Sequence, residues 1–418
     1  MGLIRLLPLR LRLPLIRSAL AAARAVRGPS WKAVRGEPAP GPLVVSGFFD
    51  EALGVGRAGA ATADALEAAG WRVERQSLRP VLRRMWRPGA KPPVSDRPGG
   101  VWLIHANAPE TEVALLGHDP ADWAGRYRIG YWAWETTEAP ADWPRVAPWM
   151  HEIWVPSTFV AEGLGAAFDK AGLSDQRAKL RVMPHPVAAP EGVRPDPARF
   201  GLDTNRRYAL MMFDGRSAFE RKNPWGAIEA WTRAYPEPAQ DACLIVKGGA
   251  LSTDPGSERR LRGLAASRTD IRLIDERLSE ADLWTLLATA DVLISLHRSE
   301  GFGLVPAEAM ALGKPVLVTG WSGVTDFVDA SSGVLLPWTP TPARDATGAY
   351  RTGDWAEPDL DAAASAIRDL MAHTDKADAL GAGGPARIAA LRDAWTTGAL
   401  SAMPFASFLD KSARSPAP

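Results

Sequence analysis

A chain of 418 residues, with 46% hydrophobic and 23% charged side chains, is too long for one ordinary core, and no window of about 18 residues is apolar enough to read as a membrane span. Its single cysteine, Cys243, excludes an internal disulfide and reads as small buried filler. The net charge of +1 conceals an asymmetry, because residues 1–36 hold eight basic groups and no acidic one, leaving the remainder at −7 without the clustered basic face that nucleic acid requires.

Those basic groups are Arg5, Arg10, Arg12, Arg17, Arg24, Arg27, Lys32 and Arg35, and they interrupt any apolar stretch long enough for a signal peptide. Leu-rich and broken by Pro8 and Pro14, residues 1–40 read as a basic surface leader, either disordered or in peripheral contact with a membrane. Strand patterns follow at Leu43–Ser46, Val101–His105, Arg128–Trp134, Glu152–Val155 and Leu180–Met183, with helical patterns at Gly56–Ala69 and Thr158–Ala171. A stretch rich in proline, glycine and charge, Pro186–Asn205, separates the halves. Further strands are expected at Tyr208–Phe213, Cys243–Val246, Ile271–Ile274, Val292–Leu296 and Pro315–Val318, and helices at Trp225–Ala234, Ser279–Thr289 and Pro306–Leu312. Ser279 with Asp282 resembles a capping box, and Pro306 suits a helix start with Gly313 past its end. The alternation predicts an α/β protein of two doubly wound domains, 41–190 and 200–375, followed by a C-terminal helix and tail over 376–418.

The second half concentrates the chemistry. The strand Val292–Leu296 runs into a loop bearing Glu300, Gly301 and Gly303, and Glu308 follows in the first turn of the next helix. Free N–H groups of Gly303, Leu304 and Val305 would make an anion site at the helix N-terminus. Carboxylates repel phosphate, so the two glutamates must serve hydroxyls on either side of it, an arrangement that fits a nucleotide diphosphate sugar. On the loop after Phe213, Arg216 and Lys222 are placed to grip the diphosphate, with Arg221 as a substitute. The plainer alternative is a solvated charged loop before a helix capped by Asn223. Ser322 and Gly323, after the next strand, either line the same cleft or form an ordinary turn. Lys247 either reaches the donor or is a surface lysine, and His297 reads as holding the loop rather than acting chemically.

These residues resemble a known family, the retaining glycosyltransferases of family 4 (glycosyl transferases group 1) with a GT-B fold. Glu300 and Glu308, with seven residues between, match its E-x7-E motif within S-E-G-F-G-L-x-P-A-E-A-M-A-x-G-K-P-V, and Arg216 and Lys222 fall where its phosphate-binding Arg and Lys occur. Gly130–Glu135 and Glu152–Ser157 resemble segments of one subgroup. The resemblance runs from about Val44 to Asp361. It implies two Rossmann-like domains facing a cleft, with Glu308 on the ribose hydroxyls and Glu300 on the transferred sugar. It also implies a role in bacterial surface polysaccharide synthesis, in the cytoplasm or on the inner face of the membrane.

In the first half, Gly54 and Gly56 either bring backbone N–H groups to the diphosphate or form a simple turn. Glu135 and His105 follow strand ends, and each could orient the acceptor hydroxyl and take its proton or be a structural hydrogen-bond partner. His118, His151, His185 and His373 show no ligand spacing. Of six tryptophans between Trp123 and Trp154, most are expected in the core.

A nucleotide-sugar epimerase would need a dinucleotide fingerprint after the first strand, and none is there. Asp359 and Asp361 form the one D-x-D pattern, at the start of a C-terminal helix, where it reads as a cap. The expectation is a metal-independent hexosyltransferase without cofactor, taking a nucleotide-sugar co-substrate and a glycan or lipid-linked acceptor. The rival from another class is a catalytically silent nucleotide-sugar-binding regulatory protein.

Overall fold

The computed structural model describes residues 9–33, 36–49, 54–84 and 89–414, which divide into two compact units. The first comprises the chain up to Pro186, residues Thr347–Ala349 and everything from Arg392; the second is Val187–Ala346 with Tyr350–Leu391.

The first unit holds six parallel strands: β1 (Leu43–Gly47), β2 (Val73–Ser77), β3 (Val101–Ile104), β4 (Tyr127–Tyr131), β5 (Glu152–Val155) and β6 (Leu180–Val182). Their order is β2-β1-β3-β4-β5-β6. β1, β3 and β5 are buried throughout, which is why they read as apolar runs rather than alternating ones. The basic leader differs from expectation, because Leu9–Ala33 is one helix that continues through Pro14. Leu20 is buried against the core and Arg24 Nε pairs with Glu112 at 3.1 Å, and these contacts give the helix an anchor that local sequence does not announce. The C-terminal stretch also divides: the helix Thr374–Leu391 packs in the second unit, whereas residues from Arg392 return to the first. There Trp395 and Phe405 pack on Trp154 at 5.8 and 5.7 Å between ring centroids.

The second unit holds β7 (Arg207–Asp214), β8 (Ala242–Gly249), β9 (Ile271–Ile274), β10 (Val292–Ser295), β11 (Val316–Thr319) and β12 (Gly333–Leu336), parallel and ordered β12-β11-β10-β7-β8-β9. An antiparallel ribbon, β13 (Trp338–Pro342) with β14 (Asp354–Pro358), follows the edge strand. Helix starts are fixed by side-chain caps. Asn223 accepts from Gly226 N–H at 3.1 Å, Ser279 from Asp282 N–H at 3.1 Å, and Asp359 from Asp361 N–H at 2.9 Å. The aspartate pair of the D-x-D pattern is thus a helix cap. Among the described residues, no helix is long and apolar enough to cross a membrane.

Candidate functional site

In doubly wound sheets, ligands bind beyond the carboxyl ends of the strands where the strand order reverses. In the second unit that point lies between β7 and β10. The loops leaving these two strands carry Lys222 and Glu300.

The loop after β7 separates its cations. Asp214 takes the Arg216 guanidinium as a fork, from Nε at 2.9 Å and Nη2 at 2.6 Å, and also accepts the Arg216 backbone N–H. Arg216 is therefore held on its own exposed turn by a carboxylate two residues away. Arg221 is buried instead, and its Nη1 donates to Ser299 O at 2.8 Å and Glu300 Oε2 at 3.1 Å. Lys222 Nζ pairs with Glu300 Oε1. Asn223, at φ 52°, donates through Nδ2 to Leu296 O at 2.9 Å and so ties this loop to the end of β10.

Glu300 is only 7% exposed. Burial alone would raise its pKa, but Lys222 and Arg221 outweigh that cost and hold its carboxyl down at about 2. Its backbone is equally constrained, since its N–H donates to Ser322 Oγ at 2.9 Å and its carbonyl accepts from Gly323 N–H at 3.0 Å. Ser322 and Gly323 thus serve the site by fixing the loop. His297, three residues earlier in the loop, sits 3.1 Å from Ser295 Oγ, and burial lowers its pKa to about 4.

Gly303 has φ 102° and is the N-cap of the helix Leu304–Ala311. A side chain there would meet Val324 as well as a strained backbone. The helix begins two residues before the expected Pro306, which has no N–H to lose within a first turn. Leu304 and Val305 keep first-turn N–H groups without an intrahelical acceptor. Glu308 consequently falls in the second turn rather than the first, and it is buried. Lys247 is not on the surface, because β8 runs on to Gly249 and its Nζ donates to Gly248 O at 2.8 Å.

In the first unit the order reverses between β1 and β3, whose loops lead to Gly54 and to His105. Residues 50–53 lie outside the described residues; Gly54 and Gly56 open the helix Gly54–Ala68. His105 is buried, and burial lowers its pKa to about 4. Neither ring nitrogen has a hydrogen-bond partner among the described residues. Its ring stacks on Tyr131 at 4.3 Å, and the Tyr131 hydroxyl lies 3.0 Å from His185 Nδ1. Sequence reasoning missed this imidazole–phenol stack, whose members come from three strand ends. Glu135 lies half-buried after β4. Trp123, Trp132, Trp143 and Trp154 are core, whereas Trp134 and Trp149 are partly buried.

A family model described as "Family 4 Glycosyltransferase in conflict systems" matches residues 170–396, more than half of the chain. Trehalose synthase of Rubrobacter xylanophilus is 27% identical over 152 residues, which cover 35% of this chain and 35% of that enzyme. Alpha-maltose-1-phosphate synthase of Mycobacterium tuberculosis is 29% identical over 154 residues, 36% of this chain and 38% of that one. The match therefore spans little more than a third of the length of either curated relative. Among solved structures, sucrose-phosphate synthase from Thermosynechococcus elongatus has a TM-score of 0.59 at 16% identity, covering 86% of this chain and 96% of that one. Anabaena HepE, solved with UDP and glucose, has a TM-score of 0.58 at 15% identity, covering 85% and 96%. At such identities the likeness is one of fold, and the fold is GT-B, with two Rossmann-like α/β domains.

Proposed function

The chain belongs to family 4 of the glycosyltransferases, and from that premise we propose that it moves a sugar from a nucleotide diphosphate sugar to a hydroxyl of a glycan or lipid-linked acceptor, with retention of configuration. The observation that carries this reading is the cluster of Glu300, Lys222 and Arg221 beside the helix Leu304–Ala311, at the strand-order reversal. Lys222 and the N–H groups of Leu304 and Val305 supply positive potential for a diphosphate; Glu300 and Glu308 supply acceptors for hydroxyls of the sugar and the ribose. Arg216 is held by Asp214 on an exposed turn, whereas Lys222 sits beside Glu300, so we take Lys222 as the principal cation, with Arg216 and Lys247 as auxiliary ones. Gly54 and Gly56 are proposed as further donor-binding residues through their backbone N–H groups, and Glu135 and His105 as the groups that orient the acceptor hydroxyl.

The charges available support retention over the alternatives. Inversion needs a base opposite the leaving group, and a double displacement needs a carboxylate in bonding reach of the anomeric carbon. Glu300 is engaged by two cations, which blunts it as a nucleophile. A front-face route needs neither group. The departing phosphate, stabilised by Lys222 and the helix N-terminus, receives the acceptor proton while the acceptor oxygen bonds on the face it leaves. The same cations remove the need for a divalent metal. Product formation should persist after exhaustive chelation, and proton NMR of the first-formed product should show the donor's anomeric configuration. An inverted product overturns the front-face route, and activity lost on chelation and restored by magnesium or manganese overturns the metal-free account.

The proposal extends to cytoplasmic assembly of surface polysaccharide with the leader against the inner membrane face. The helix Leu9–Ala33 exposes Leu15, Ile16 and Val26 among its basic residues. Each basic residue near an anionic bilayer contributes about 1 kcal/mol. Full-length protein should sediment with anionic vesicles, and a chain beginning at Gly41 should not. Equal sedimentation of the two leaves the leader without that role.

A further inference from the structure

Three neighbouring parallel strands, β10, β11 and β12, end on the edge of the sheet that carries the donor loops. β10 leads to Glu300. β11 leads to Trp321 and to Ser322, whose hydroxyl accepts the Glu300 N–H. β12 ends with Leu336 opposite Thr319 of β11, and Trp338 follows two residues later.

Trp338 is fixed rather than loose. Its indole N–H donates to Gly320 O at 2.9 Å, and its ring lies 5.5 Å from that of Trp321 at 46°. It is nevertheless 37% exposed, and Leu335 is 38% exposed. Among the described residues of the second unit these two are the exposed large apolar side chains. A single exposed apolar side chain needs no explanation. An indole held in one plane by its N–H, next to a second indole and on a ligand-binding edge, is a different matter, because its orientation is already settled before anything binds.

We infer that Trp338, backed by Trp321, is a stacking platform for a pyranose ring of the acceptor. This rests on the transferase reading above and names a specificity determinant within it. A pyranose offers a flat face of C–H groups that packs on an indole while its hydroxyls stay in water. β12 lies two strand spacings from β10, roughly 10 Å. That is beyond a ring held at Glu300 and suits the next ring along, which is the acceptor's.

The test uses the full-length protein with UDP-glucose and GDP-mannose as donor probes. Maltotetraose, cellotetraose and mannotetraose serve as acceptor probes, followed by saturation-transfer NMR. At least one tetrasaccharide should show C–H enhancement with wild-type protein. Trp338→Ala should weaken that binding by about tenfold, Trp338→Phe should largely restore it, and donor affinity should be unchanged in both. Enhancement that survives Trp338→Ala, or is absent for all three sugars while a donor still binds, overturns the platform and leaves the transferase reading intact. Weaker donor binding in Trp338→Ala overturns it in favour of nucleobase stacking. Failure of the wild type to bind either donor or their nucleotides overturns both.

Discussion

Lys222→Ala and Glu308→Ala are each expected to weaken nucleotide-sugar binding by roughly tenfold to a hundredfold, the equivalent of about 1.5 to 3 kcal/mol for a hydrogen bond to a charged group. The two variants should fail for different reasons. Lys222 Nζ is paired with Glu300, so its removal deletes the proposed phosphate partner and one of the two cations beside that carboxylate. Glu308 is buried in the second helical turn, and its removal deletes the carboxylate proposed to accept from the ribose hydroxyls. A nucleotide diphosphate without sugar should therefore feel both changes, and inorganic pyrophosphate should feel chiefly that of Lys222. Calorimetry with UDP-glucose and GDP-mannose reads this directly. Unchanged affinity in both variants would falsify the assignment of the donor site. Arg216→Ala provides a graded comparison: its guanidinium is partly neutralised by Asp214 on an exposed turn, and its effect should be smaller than that of Lys222→Ala.

How far the sequence reveals this arrangement depends on how local each determinant is. The buried parallel strands are legible because both faces are covered, so Val292–Ser295 and Val316–Thr319 read as short apolar runs. The loop from Glu300 to Glu308 is legible because its glycines and carboxylates have meaning at fixed spacing. β2 is not, since it is an edge strand of sequence Val-Glu-Arg-Gln-Ser whose Arg75 is neutralised by Asp64 and Glu67 from the neighbouring helix. The ribbon of β13 and β14 is hidden by Pro340, Pro342 and Pro358, which suggest a linker. A two-stranded ribbon tolerates them because each strand has an unpaired side on which a missing N–H costs nothing. The pairing of Arg216 with Asp214 is local in sequence, but only the backbone of the turn decides that the guanidinium folds back rather than forward. The return of Trp395 and Phe405 to the first sheet has no local signal, because the contact joins residues more than 200 positions apart.

Gly323→Ala is expected to destabilise the second unit by about 3 kcal/mol, the sum of overpacking and weakened buried hydrogen bonds. A methyl group built on Gly323 lies 2.5 Å from Gly301 O, 2.7 Å from Gly301 C and 2.8 Å from Phe302 Cα. All three are backbone atoms, so no side chain can rotate away to make room. Relief requires the two loops to separate, and that separation strains the Gly323 N–H bond to Glu300 O and the Ser322 hydroxyl's bond to Glu300 N–H. The substitution should therefore lower donor affinity as well as the unfolding temperature, because the backbone it displaces carries Glu300. Gly263→Ala is the matched control in the same unit. It lies inside the helix Pro255–Ala266 with nothing within 4 Å of the added methyl, where alanine in place of glycine should stabilise by roughly 0.5 to 1 kcal/mol. Thermal unfolding should shift by about 6 to 12 °C downward for Gly323→Ala and by a few degrees upward for Gly263→Ala, taking about 2 to 4 °C per kcal/mol for a unit of this size. Equal melting temperatures for Gly323→Ala and wild type would mean that the two loops do not press together as described, and the positioning of Glu300 by Ser322 and Gly323 would fall with that contact.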